Sequence, residues 1–257
     1  MTSLKSGHSE GEESIYMLPK WTNPQIFDLD HSCVIMKDRR VHFLFMRRSV
    51  LVNSQRECRN MSEVSKCLLE DFAVELMASV SADTLEMQDL AFGLLRDAYD
   101  RDSSVFVVGN GGSASSASHF VCDITKNAKP EHGRGLRATS LTDMSVLTAY
   151  ANDVSYAEVF SRQLESQARP GDLLVVISAS GRSPNIVEAV KTAQALGMRS
   201  IGLLGHDGGT VGHQVDVAVL ADSADPGIIE TVHLGMCHAF TRALRQHTAS
   251  VPELASV

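Results

Sequence analysis

Short apolar runs alternating with helix-forming stretches constrain this chain more than any other feature. The runs are "SVFVVG" (104–109), "LRATSL" (136–141), "DLLVVIS" (172–178), "RSIGLLG" (199–205) and "VDVAVL" (215–220). Runs this short and mostly unbroken in apolar character suit strands covered on both faces. Between them the text predicts a helix from Ser113 to about Asn127, helices around 143–150 and 154–167, and a helix from Pro184 to Leu196. A short helix near 209–213 and a last one over about 226–246 complete the pattern. Strand and helix in strict alternation imply an α/β fold: a doubly wound, parallel, five-stranded sheet in a three-layer, flavodoxin- or Rossmann-like sandwich.

Two helices precede the first strand. "MSEVSKCLLEDFAVELMASV" (61–80) places Val64, Leu68, Phe72, Leu76 and Val80 at helical spacing, with Ser62 as the expected N-cap. A second helix is expected over about 84–100. The folded domain is therefore expected to span 61–250. Residues 1–60 differ: "MTSLKSGHSEGEE" has the composition of a disordered segment. "VIMKDRRVHFLFMRRSVLV" (34–52) is basic and apolar and suits one or two short strands or a helix. This stretch reads either as an N-terminal extension or as the product of an upstream start, with Met61 the natural one.

Bulk properties exclude several functions. A net charge of -8 argues against nucleic acid as a partner. Five cysteines without a C-x-x-C pair argue against a disulfide framework or a zinc knuckle, and suit a reducing cytoplasm. The N-terminus has no signal-peptide pattern, and Arg47 and Arg48 cut the most apolar early run well short of a membrane span.

In such sheets ligands bind beyond the carboxyl ends of the strands. Those ends carry small, hydroxylated or acidic residues: Gly109-Asn110-Gly111-Gly112-Ser113, then Thr142-Asp143, then Ser178-Ala179-Ser180-Gly181-Arg182-Ser183, then "GHDGG" (205–209). Free backbone N–H groups and the helix dipole behind Pro184 favour an anion there. Together the first loop and the serine loop read as a phosphate cup. Gly109, Gly111 and Ala114 fit a dinucleotide fingerprint, but the acidic residue it needs about twenty positions on is missing. There is no Walker lysine either, so no nucleotide cofactor is expected.

Strand–S-x-S-G-x-S–helix, preceded by "GNGGSA", resembles the sugar isomerase (SIS) domain, and in particular the phosphoheptose (sedoheptulose 7-phosphate) isomerases. The similarity runs from Met61 to Gln246 through "GNGGSASSASHF", "LTDMSVLTAYANDVSYAEVFSRQL", "GDLLVVISASGRSPNIVEAV", "GMRSIGLLGHDGG" and "ETVHLGMCHAF". It implies aldose–ketose isomerisation of a phosphorylated sugar through an enediol(ate), without a redox cofactor, by a homotetramer with sites between subunits. The first-choice substrate is sedoheptulose 7-phosphate, and an octulose 8-phosphate is a variant. An amino-sugar phosphate isomerase or deaminase shares the fold and ranks lower. A noncatalytic sugar-phosphate-binding regulator or adaptor is the main alternative, though such members tend to lose the histidines and carboxylates.

Residue by residue, Asn110, Ser113, Ser178, Ser180 and Ser183 match the family's phosphate and sugar binders, with Gly111, Gly112 and Ala179 lining the same loops. Asp143 matches an acidic residue near the sugar hydroxyls. His119 and Asp123 stand at i, i+4 on one helix, and Glu230 and His238 lie about 80° apart on the last helix. Two histidines and two carboxylates suit zinc or a similar divalent ion. Asp123, Glu230 and His238 are the candidate acid–base residues, with the base either Glu230 or Asp123. His233 points away from His238 and is left outside the set. Where the family has glutamate and glutamine, this chain has Asp123 and Glu230. A family arginine is replaced around Lys126-Asn127. Arg182 is either solvated or in reach of a longer substrate.

Overall fold

A computed structural model describes residues 61–250 and, ahead of them, four two-residue strands. β1 (Asp28–Leu29) pairs antiparallel with β2 (Ser32–Cys33), and β3 (Met36–Lys37) with β4 (Arg40–Val41). The expectation of disorder over 1–60 otherwise falls outside the described residues. The second pair falls within the basic, apolar stretch and takes the strand alternative of the two considered.

The larger unit, Cys58–Val257, holds the expected architecture. Its elements run α1 (Met61–Ala78), α2 (Ala82–Asp100), β5 (Ser104–Gly109), α3 (Gly112–Cys122), β6 (Arg137–Ser140), α4 (Met144–Asp153), α5 (Ser161–Gln167), β7 (Leu173–Ser178), α6 (Pro184–Ala195), β8 (Arg199–Gly205), β9 (Val217–Ala221) and α7 (Pro226–Ser250). The five strands β5–β9 are all parallel, in the order β6-β5-β7-β8-β9. That order reverses between β5 and β7, which makes the crevice between their carboxyl ends the topological switch point.

Alternation along the strands builds two cores. Val105, Val107, Leu173, Val175, Ile177, Ile201 and Leu203 face α2, α3 and α7. Phe106, Val108, Leu174, Val176 and Leu204 face α5 and α6. β7 is buried at every residue, as expected of a central strand with both faces covered.

Several boundaries differ from the sequence expectation. α1 already includes Ser62, which is therefore not its cap. Of its stripe, Phe72 and Leu76 pack on the core while Leu68 is exposed. α2 starts two residues early because Ser81 caps it in a reciprocal capping box with Thr84. The helix after the first loop leaves α geometry at Asp123 and continues as a π turn over Asp123–Asn127. The stretch 154–167 splits into a 3-10 turn (Tyr156–Glu158) and α5. None of the described helices is long and apolar enough to cross a membrane.

Candidate active site

The first loop turns sharply because Gly111, the residue before α3, sits at φ 54°, a conformation that glycine adopts without strain. Ser113 is buried in the first turn of α3. Gly112 lets another group approach: a methyl carbon there would lie 2.6 Å from Glu230 Oε2. The Glu230 carboxylate, carried by the first turns of α7, is thus packed against the start of α3. No hydrogen bond or ion pair joins it to another described residue.

Opposite, the serine loop closes on itself. Ser178 is buried, and its Oγ accepts from the Gly181 N–H at 3.1 Å. Ser180 Oγ accepts from the Arg182 N–H at 3.3 Å. Ser183 precedes α6 without a side-chain cap bond, and Pro184 occupies the first turn, where its missing N–H costs nothing. Arg182 is accounted for within the chain: its guanidinium binds both carboxylate oxygens of Asp207, at 3.0 and 2.7 Å. That hydrogen-bonded arginine holds the Asp207 carboxyl below the usual carboxylate range.

About two helical turns further along, α3, the π turn that follows it and α7 bring three candidate residues together. Asp123 is buried; His119 and His238 are exposed. Asp123 Oδ2 stands 3.4 Å from His119 Nε2 and 3.1 Å from His238 Nδ1. The rings of His119 and His238 meet edge to face at 5.0 Å. The other carboxylate oxygen, Oδ1, accepts from Asn127 Nδ2 at 2.7 Å. The π turn brings Asn127 to this position, with the Ala128 N–H reaching back five residues to the Asp123 carbonyl at 3.0 Å. Such turns often mark functional sites.

This cluster fits a divalent metal. Atoms bound to a tetrahedral zinc at about 2.0–2.1 Å stand roughly 3.3 Å from one another. Two imidazole nitrogens and a carboxylate oxygen within 4.8 Å of one another meet that spacing. Glu230 is not a member of the cluster and lies instead against Gly112.

Asp143 caps α4: its Oδ1 accepts from the Ser145 and Val146 N–H groups at 3.0 and 3.1 Å and from the Ser145 hydroxyl. Those bonds, the Ser145 hydroxyl first, hold its carboxyl below the usual range. Asn110 is tied to Asn185 and Tyr156. Sequence reasoning met Asn127 only as part of the place where a family arginine is replaced, and passed over Asn185 and Tyr156. For Asn185, its place immediately after Pro184, in the first turn behind the serine loop, was a usable signal.

His233, on the core side of α7, is fully buried. Neither ring nitrogen has a hydrogen-bond partner among the described residues. Burial pulls its pKa down to about 4, and the Leu204 backbone, outside good hydrogen-bond geometry, offsets this only in part. The Cys237 thiol is pushed up to about 12, by burial first and then by the charge of Asp123. It belongs to the hydrophobic core beneath α7.

A family model of the SIS domain matches residues 70–205. The chain is 45% identical to a phosphoheptose isomerase of Geotalea daltonii over 146 residues, 56% of this chain and 76% of that protein. It is 40% identical to the Helicobacter pylori (strain P12) phosphoheptose isomerase over 165 residues, 64% of this chain and 85% of that protein. The solved phosphoheptose isomerase of Neisseria gonorrhoeae superposes with a TM-score of 0.67 at 31% identity, over 73% of this chain and all (100%) of that one. That of Francisella tularensis superposes with a TM-score of 0.68 at 25% identity, over 73% and 99%.

Proposed function

We propose, from the premise that this chain belongs to the SIS-domain family and within it to the phosphoheptose isomerases, that it interconverts sedoheptulose 7-phosphate and an aldoheptose 7-phosphate through an enediol(ate). Such a product would feed the making of activated heptoses for glycans or secondary metabolites. The observation that carries the reading is the His119–Asp123–His238 cluster, built by α7 and by the helix whose start at Gly112 packs against Glu230 and which follows the first of the two strands flanking the sheet's switch point.

The loops after β5 and β7 bind the phosphate with backbone N–H groups and the hydroxyls of Ser113, Ser178, Ser180 and Ser183. This fixes the chain end and supplies orientation and remote binding energy. Asn110 and Asp143 contact the sugar hydroxyls. Glu230 removes the C1 proton of the ketose and returns it to C2, since its carboxylate is unengaged while both Asp123 oxygens are occupied. His238, with Nδ1 toward Asp123, keeps Nε2 for the proton that moves between O1 and O2. His119, Asp123 and His238 would hold zinc or a similar divalent ion. When bound, it supplies positive charge for the oxygen that turns anionic as the carbon proton leaves. No step calls for a nucleotide cofactor.

The same reading places the protein in the cytoplasm, where the free thiols of Cys67, Cys122 and Cys237 stay reduced. It also makes the protein a homotetramer with sites between subunits. Apolar side chains left exposed on α1 and α2, among them Leu68, Leu69, Met77 and Leu85, support that assembly.

Proton NMR of sedoheptulose 7-phosphate in D2O, with and without added zinc, tests the activity. New aldose anomeric signals and deuterium at the exchanged carbon are expected from the wild type. Glu230→Gln and His238→Ala should each lower kcat by at least about a hundredfold, the usual share of general acid–base catalysis. Full exchange by Glu230→Gln, with loss in Asp123→Asn, would move the base to Asp123. No turnover by the folded wild type would sink the assignment.

A further inference from the structure

Asn110 and Asn185 meet across the switch point. Asn110 follows β5, and Asn185 is the second residue of α6, just behind the serine loop. Their amides exchange two hydrogen bonds. Asn110 Nδ2 donates to Asn185 Oδ1 at 2.9 Å, and Asn185 Nδ2 donates to Asn110 Oδ1 at 2.8 Å. Asn185 is 1% exposed, so this pair is its anchor in a site where an unmatched amide would be costly. A third group joins from a separate element: the Tyr156 hydroxyl, in the 3-10 turn after α4, donates to the same Asn110 Oδ1 at 3.0 Å.

Hydrogen-bond capacity then decides what Asn110 can offer. An amide oxygen accepts two hydrogen bonds and an amide nitrogen donates two. Both acceptor positions of Asn110 are taken, by Asn185 and Tyr156, and one of its donors is taken by Asn185. One N–H remains. An isolated asparagine could turn either end of its amide to a ligand; this one is locked.

We propose that Asn185 and Tyr156 are positioning residues that make Asn110 a donor-only contact for an acceptor oxygen of the sugar phosphate. The proposal rests on the sugar-phosphate reading above. It links the two halves of the cup: the β5 loop is set by a residue of the helix that opens behind the β7 loop. The contact is the same in ground and transition states, so its loss weakens binding and leaves the chemical step alone.

The test combines steady-state kinetics and calorimetric binding of sedoheptulose 7-phosphate by the full chain. Asn185→Leu keeps volume and removes the amide, and should raise KM and Kd about tenfold with kcat within about twofold. Tyr156→Phe removes one donor from an exposed side chain, and should raise KM about threefold. The doubles Asn110→Ala/Asn185→Leu and Asn110→Ala/Tyr156→Phe should bind no more weakly than Asn110→Ala alone, because both residues act through Asn110. If Asn185→Leu does not fold, the Tyr156 pair of variants decides. Unchanged KM in the folded variants would overturn the proposal, as would effects that multiply fully with Asn110→Ala. Failure of the wild type to bind or turn over the sugar phosphate overturns the functional reading instead. An active wild type with unmoved variants overturns this inference only.

Discussion

At the scale of single residues, the site separates groups that can do chemistry from groups that only look able to. His233 and His238 lie five positions apart on α7 and have opposite fates. His238 is exposed and reaches Asp123 at 3.1 Å, whereas His233 is sealed in the core with both ring nitrogens unpartnered. The sequence already separated them, since five residues turn a helix by about 140° from one face to the other. It could not show that Asp123 would be shared by His119 and His238, because the contact with His238 spans 115 residues. Burial of neutral His233 has a consequence for stability. Between the ordinary histidine pKa of 6.5 and the folded value of about 4, the unfolded chain takes up a proton here and the folded chain does not. Stability from this group is therefore whole above pH 6.5 and is lost as pH falls toward 4, by up to roughly 3 kcal/mol. Melting temperatures measured across that range should drop in the wild type and drop less in His233→Leu, which also removes an unsatisfied polar group. Parallel curves for the two proteins would show that His233 does not carry the acid sensitivity.

At the scale of elements, the loops at the strand ends are held by contacts that the sequence pattern marks but does not explain. "SASGRS" was legible as a turn lined with hydroxyls. Its dependence on the "GHDGG" loop was not, because the two meet only once β7 and β8 pair. Gly181, at φ 59°, packs against the Gly208 carbonyl, and Gly209 packs in turn against the Ser180 carbonyl. A methyl group at 181 would overlap backbone, which cannot rotate away. Gly181→Ala should thus cost more than about 2 kcal/mol in chemical denaturation and weaken sugar-phosphate binding as well. Arg182→Ala, which removes the exposed pair with Asp207 and a hydrogen bond to the Ser180 carbonyl, should leave the denaturation midpoint nearly unchanged. Equal losses would assign the interlock to the ion pair instead. Gly112 sits against a side chain rather than backbone. Gly112→Ala should displace Glu230 and lower kcat more than about tenfold, with the melting temperature nearly unchanged. The break from α to π geometry at Asp123 was likewise invisible to periodicity: "HFVCDITKN" continues an ordinary helical pattern, and only the packed structure shows Asn127 turned onto Asp123.

At the scale of the whole molecule, the five parallel strands were open to sequence reasoning because each is a short apolar run between helices, whereas their order in the sheet came only from the structure. The outer faces were harder to read. Of the stripe that α1 was expected to bury, Phe72, Leu76 and Val80 pack on the core and Leu68 stays exposed; Leu69, Val74 and Met77 outside the stripe are exposed too, as are Leu85 and Leu90 on α2. α4, which leads toward Tyr156, buries none of its residues, and Met144 and Val154 at its ends are exposed. Apolar area of this extent favours association, at about 25 cal/mol for each Å² removed from water. If assembly completes the sites, activity depends on it. Light scattering should then give a mass near four chains for the wild type. A double change on α1, Leu69→Glu with Met77→Glu, should give smaller species with a large loss of kcat/KM, while far-ultraviolet circular dichroism stays that of a folded α/β protein. A dissociated variant with full kcat/KM would mean that one subunit carries a complete site, and that the exposed face of α1 serves assembly without serving catalysis.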